Sequence, residues 1–139
     1  MILLDASGLF AFLNERDPIR ERVASVMDGE PDAGVLSPFV LAELDYLVST
    51  RVGVGAPLDL LADIAAGAYS LAPFGPPDVD DARGIVERYR DQRIGLADAS
   101  IVLLAGRYRT DRVLTLDERH FRVLRTPAGE PFRILPADA

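Results

Sequence analysis

The chain has 139 residues, 49% of them apolar and 27% charged, a balance that suits an ordinary globular protein with the length to bury a substantial core. The absence of cysteine excludes disulfides and thiolate metal sites, and a formal charge of −7, with arginine as the only basic residue type apart from one histidine, weighs against a protein that coats nucleic acid by charge alone. The opening MILLDASG has no basic leader pattern, and the longest uncharged stretch, IAAGAYSLAPFGPP (64–77), is too short and too broken by Gly and Pro to span a bilayer, so a cytoplasmic protein with no membrane partner is expected.

In chain order, ILLD (2–5) is apolar enough for a buried strand, and ASGLFAFL behind it has helical character. DPIRERVASVMDG predicts a helix in which Asp17 caps, Pro18 suits the first turn, and Ile19, Val23, Val26 and Met27 form one stripe before Gly29. AGVLS (33–37) reads as a second strand, and SPFVLAELDYLVSTR as a helix with Ser37 as cap and Pro38 at its first position. VGVGAP reads as a plain turn, because a dinucleotide loop needs a third glycine and a preceding strand. PLDLLADIAAGA predicts a further helix and YSLAPF a short strand. DVDDARGIVERYRDQR is amphipathic, with Ala82, Ile85, Val86 and Tyr89 facing inward. GLADASIVLLAG then predicts a buried helix carrying one charge, Asp98. DRVLTLD (111–117) is strand-like, ERHF turns helical with His120 near its end, and FRIL (132–135) closes as a last strand. No repeat and no linker divides the chain, so one domain over 1–139 is expected. Short apolar strands alternating with helices predict an α/β fold, with a mainly parallel sheet covered on both faces.

In such sheets ligands collect beyond the carboxyl ends of the strands. Asp5 ends ILLD and Asp117 ends VLTLD, each just before a helix. Asp98 falls in the first turn of its helix, and Glu43 in the second turn of the helix that follows AGVLS, on a face with Phe39, Val40, Tyr46 and Leu47. Each acid also has an ordinary explanation. Asp5 and Asp117 can cap the helices behind them, Asp98 suits the positive end of a helix, and Glu43 can be a solvated residue. Asp45 is as good an acid as Glu43 by periodicity. A functional reading requires all four to converge on one sheet edge. His120, the sole histidine, rules out a histidine-rich metal site and makes a Ser–His–Asp triad improbable.

The stretches ILLDASGLFAFL, PFVLAELDYLV, GLADASIVLLA and VLTLDERHF, in this order and at these intervals, resemble the four acidic motifs of PIN-domain ribonucleases, and among them the small VapC-type toxins of bacterial toxin–antitoxin pairs. Each motif alone is weak, but four in order across nearly the whole chain are specific. The resemblance implies a PIN-like three-layer α/β/α sandwich around a sheet of about five strands. It also implies that Asp5, Glu43, Asp98 and Asp117 are the catalytic, metal-binding acids, which selects Glu43 over Asp45. Ser7 and Thr115 match the small hydroxyl residues that accompany the first and fourth acids and orient carboxylates or a water held by the metal. The implied reaction is endoribonuclease cleavage of RNA, with transfer or ribosomal RNA as target. The implied cofactor is Mg²⁺, with Mn²⁺ as substitute, and the implied partners are a cognate antitoxin and a second copy in a homodimer.

Elementary electrostatics agrees with this implication. Two carboxylates about 5 Å apart repel by roughly 3 kcal/mol at an effective dielectric of about 20, so four brought together hold protons or demand a cation. Hard oxygen ligands suit Mg²⁺ or Mn²⁺, and such a metal activates water for in-line attack on a phosphodiester. Arg93, Arg119 and Arg122 lie beside the same motifs in sequence and are candidate RNA contacts. The competing readings are a catalytically inactive PIN-like protein-binding domain, or a nuclease of the same fold acting on DNA or in RNA processing.

Overall fold

The central strand is β1 (Leu3–Leu4), flanked by β2 (Val35–Leu36) and β4 (Arg112–Leu114), with β3 (Ser70–Leu71) and β5 (Arg133–Leu135) at the edges of a five-stranded sheet, in a computed structural model that describes residues 1–139. Every pair in the order β3-β2-β1-β4-β5 is parallel, where the sequence pattern required only a mainly parallel sheet. The strands read as continuous apolar runs because both faces are covered. Ile2, Leu3, Leu4, Val35, Leu36, Val113, Leu114 and Ile134 are all buried in one contiguous core. Only edge strand β3 lies open to solvent.

Seven helices join the strands: α1 (Ala6–Leu13), α2 (Arg20–Asp28), α3 (Pro38–Arg51), α4 (Ala56–Ala65), α5 (Pro76–Arg88), α6 (Leu96–Tyr108) and α7 (Glu118–Phe121). From β1 the chain steps to β2 and β3 in one direction, then returns to the other side of β1 for β4 and β5. Right-handed crossovers therefore set α1 to α4 against one face and α5 and α6 against the other. α1 packs on α2 and α3, and α5 packs along α6. α6 is buried almost all round, with Ala97, Ala99, Ser100, Ile101, Val102, Leu104 and Ala105 inside. No helix is long and apolar enough to cross a membrane.

Local chemistry accounts for most helix ends. Ser37 caps α3, its hydroxyl accepting from the Phe39 N–H at 3.1 Å, with Pro38 at the first position. α2 begins at Arg20, later than expected, because Asp17 accepts from the Ile19 N–H and closes a turn over Pro18 before the helix starts. α5 ends at Arg88 rather than running on through Gln92. Arg90–Gln92 tighten into a 3₁₀ turn that closes on Arg93, whose φ of 52° swings the chain into α6. Gly8 permits one close approach in particular. A Cβ there would lie 2.5 Å from the Leu114 carbonyl oxygen, so α1 rests directly on β4.

Candidate active site

The strand order reverses between β1 and β4, and it is at the carboxyl edge of such a switch point that open α/β sheets bind their ligands. Asp5 leaves β1 at that edge, its backbone N–H donating to the Leu114 carbonyl at 3.0 Å. Although Asp5 precedes α1, its side chain makes no cap hydrogen bond. Its Oδ2 instead accepts from the Thr115 hydroxyl at 2.6 Å and is 3.1 Å from the Ser7 hydroxyl. The two hydroxyls are 3.2 Å apart, and each accepts a backbone N–H at 3.0 Å, Ser7 from Leu116 and Thr115 from Asp117. With their lone pairs engaged by the backbone, these hydroxyls turn their protons toward the carboxylate. Ser7 and Thr115 thus hold Asp5 in one orientation. Burial pushes the Asp5 carboxyl above the usual range, the hydrogen bonds from Thr115, the Ala6 N–H and Ser7 pull it back, and the charge of Asp117 adds to the rise.

Asp117 does cap its helix, Oδ1 accepting from the His120 N–H at 3.1 Å, so the ordinary explanation for this acid holds. Its second oxygen has another task. Oδ2 lies 2.9 Å from Nδ1 of His120, and the same ring nitrogen is 3.6 Å from Oδ2 of Asp98. His120 therefore stands between two of the acids, a role that its reading as a helix end missed. The available signal was its position three residues after Asp117, which a helical turn brings back onto the same face.

Asp98 sits in the first turn of α6, where the helix dipole would lower its pKa. The structure gives the opposite result. Burial pushes its carboxyl up to about 6, the charge of Asp5 adds to this, His120 opposes it, and Asp117 and Glu43 raise it further. Helix-end stabilisation consequently does not explain this acid. Glu43, on the exposed side of α3, is also raised, by partial burial and then by the charge of Asp5. The charges that raise Asp98 are those of Asp5, Asp117 and Glu43, and Asp45 is not among them.

The helices that carry Glu43 and Asp98 are joined by a buried polar link. The hydroxyls of Ser37 and Ser100 are 2.7 Å apart, and the Ser100 hydroxyl donates to the Ala97 carbonyl at 2.6 Å. Both serines are fully buried, so this pair fixes the cap of α3 against the first turn of α6. A serine inside an otherwise apolar helical run was the sequence signal for it.

Of the arginines near these motifs, Arg122 is committed elsewhere. It donates to Asp138 and Glu118 at 2.7 Å, and those hydrogen bonds raise its pKa. It is therefore withdrawn as an RNA contact. Arg93 and Arg119 make no ion pair or side-chain hydrogen bond.

The donor set is one of carboxylate oxygens, which suits a hard divalent cation, and the raised carboxyls of Asp5, Glu43 and Asp98 mark a place where negative charge is under-compensated. No three acid or histidine side chains form a ready-made cage. Mg²⁺ does not require one, since it commonly binds through one or two carboxylates and completes its octahedron with waters and substrate phosphate.

Comparison with known proteins follows the same lines. The family model of the PIN domain matches residues 2–125. Ribonuclease VapC26 of Mycobacterium tuberculosis is 48% identical over 135 residues, which cover 97% of this chain and 100% of that protein. Among solved structures, Mycobacterium tuberculosis VapC20, described as a sarcin–ricin loop cleaving toxin, superposes with a TM-score of 0.78 at 18% identity, covering 86% of this chain and 92% of that one. FitAcB from Neisseria gonorrhoeae superposes with a TM-score of 0.56 at 23% identity, covering 78% and 83%. At these identities the two structures speak for the fold alone.

Proposed function

The chain belongs to the PIN-domain family, and we propose that it is a metal-dependent endoribonuclease toxin, cleaving RNA phosphodiester bonds and neutralised by a cognate antitoxin protein. The observation that carries the reading is the electrostatic convergence on Asp98, where burial and the charges of Asp5, Asp117 and Glu43 raise a carboxyl that only His120 offsets. The 48% identity to a ribonuclease over almost the whole length supports the same reaction. We assign Asp5, Glu43, Asp98 and Asp117 as the residues that hold Mg²⁺, or Mn²⁺ in its place. Such an ion, when bound, supplies Lewis-acid charge for the phosphodiester and lowers the pKa of water in its shell.

The chain's own residues then do the positioning. Thr115 and Ser7 keep the Asp5 carboxylate from rotating, and the backbone N–H groups of Leu116 and Asp117 keep those hydroxyls aimed. His120, with Nδ1 2.9 Å from Oδ2 of Asp117, steadies that carboxylate while Oδ1 keeps the helix capped. The Ser37–Ser100 link ties the cap of α3, the helix of Glu43, to the first turn of α6, the helix of Asp98. Transfer or ribosomal RNA is the proposed target class. We further propose that the chain is one domain over 1–139, acts in the cytoplasm, and forms a homodimer.

The test is cleavage of structured RNA by the purified protein in Mg²⁺ or Mn²⁺, followed on a denaturing gel. Wild type is expected to cut, chelation with EDTA to stop it, and Asp98→Asn to reduce the rate by about 10²-fold or more with the circular dichroism unchanged. An Asp98→Asn protein that cuts as fast as wild type removes the site assignment. A wild-type chain that cuts no RNA in either cation is instead a PIN-fold binding module, and one that prefers DNA has the reaction but not the substrate.

A further inference from the structure

The 3₁₀ turn before α6 and the first turn of α7 enclose a cavity of about 510 Å³ lined by Asp91, Gln92, Arg93, Arg119 and His120. We propose that this cleft is a subsite for the RNA phosphodiester adjoining the one that is cut, with Arg93 and Arg119 as its two cationic walls. The proposal rests on the ribonuclease reading above and goes beyond it by assigning the ground on which the substrate backbone lies.

The lining contains no hydrophobic residue, which excludes an apolar ligand or the apolar face of a helix. Its two guanidiniums stand against one carboxylate, Asp91, and a guanidinium is the planar fork that matches phosphate oxygens in pairs. The arginine nearest each of them in sequence is already spent, Arg90 on Glu87 and Arg122 on Glu118 and Asp138. Arg93 and Arg119 are exposed and pair with no carboxylate, so their donors are available to a ligand.

The cleft also adjoins two of the acids. His120 lines it, and the same ring is 2.9 Å from Asp117 and 3.6 Å from Asp98. Each arginine is carried by a segment that also carries an acid. Arg119 is two residues past Asp117 in the first turn of α7, and Arg93 closes the turn that leads through buried Ile94 into the first turn of α6 and Asp98. The left-handed backbone at Arg93, with φ of 52°, sets that side chain at the rim. An acidic protein that must hold a polyanion needs local positive charge beside its cation site, and this cleft supplies it.

The experiment is steady-state cleavage of a labelled single-stranded oligoribonucleotide in Mg²⁺, between about 50 and 200 mM salt, by wild type and by the double variant Arg93→Gln/Arg119→Gln. Each lost phosphate contact on a single strand flattens the salt dependence by about 0.7, so the slope of log(kcat/KM) against log[salt] is expected to shrink by about 1.4, with KM up about tenfold and kcat within about threefold. Arg16→Gln/Arg51→Gln removes the same charge from a separate hollow, lined also by Leu13, Asn14, Glu15 and Val52 at the far ends of α1 and α3, and should leave both quantities as in wild type. Arg93→Lys/Arg119→Lys should keep the wild-type slope but recover only part of the KM, because an ammonium keeps the charge and loses the fork. A wild type that cuts RNA, with a double variant matching it or matching the distant control, overturns the subsite and leaves the ribonuclease reading intact. A wild type that cuts no RNA overturns both.

Discussion

Asp98 concentrates the electrostatic tension of the site in one carboxyl, pushed up to about 6 by burial and by neighbouring acids. Because the folded state binds this proton more tightly than the unfolded state, the contribution of Asp98 to stability is most favourable at low pH and is lost as pH rises from about 4 through about 6. A shift of about two pH units corresponds to roughly 3 kcal/mol at full ionisation. Asp98→Asn removes the ionisable group, so in EDTA it should stabilise the fold at pH 8 by about 2–3 kcal/mol and at pH 4 by less than about 1 kcal/mol. Urea unfolding at the two pH values measures this, and an equal effect at both would mean the carboxyl is not raised. At this scale Asp5, Asp98 and Asp117 stood out in the sequence beside apolar runs, while Glu43 and Asp45 were level until the family resemblance selected Glu43. Their partners were not legible there. Nothing in the spacing told Asp117, which caps its helix, from Asp5, which leaves its helix uncapped and takes its shortest hydrogen bond from Thr115 across the sheet.

Among the elements, α1 has the tightest constraint, because Gly8 brings it against the backbone of β4. A methyl at that position would stand 2.5 Å from the Leu114 carbonyl oxygen, and backbone cannot swing aside as a side chain tip can. Gly8→Ala is therefore expected to destabilise the protein by about 1–3 kcal/mol and, by lifting α1 off β4, to part Ser7 and Asp5 from Thr115 and lower kcat. Gly84→Ala in α5 is the matched control. A Cβ there meets nothing within 4 Å, and the change should be neutral or stabilising by up to about 1 kcal/mol. Thermal denaturation of both variants separates contact from propensity. All five strands lay within the segments predicted for them, and each of the seven helices overlapped its predicted segment, although α4 begins at Ala56, α5 at Pro76 and α6 runs on to Tyr108. An Asp17 turn shortened α2 and a 3₁₀ turn shortened α5, each competing with the helix at little cost in local energy.

For the molecule as a whole, a net charge of −7 and a cluster of raised carboxyls make cation binding a stabilising event. A cation that binds the folded chain and not the unfolded one raises the melting temperature with concentration, by about 2.7 kcal/mol of stability at a hundredfold excess over Kd. Titration with Mg²⁺ or Mn²⁺ is expected to raise the melting temperature of wild type, and of Asp98→Asn much less. A wild-type melting temperature that ignores both ions would remove the acidic edge as a cation site.

The sequence by itself determined the alternation of short apolar strands with helices and the mainly parallel sheet that follows from it, while its resemblance to the PIN family singled out four acids and two hydroxyl companions as the site to test. Hydrophobic period, capping residues and turn residues are read within a few positions of one another. Only the tertiary structure decided that His120 stands between Asp98 and Asp117, that Ser37 meets Ser100 in the core, and that Arg122 is spent while Arg93 and Arg119 are free. Those outcomes depend on which segments the strand order sets side by side. Thr115 and Asp5, a hundred and ten positions apart and sharing one hydrogen bond, meet through that strand order and not through any local spacing.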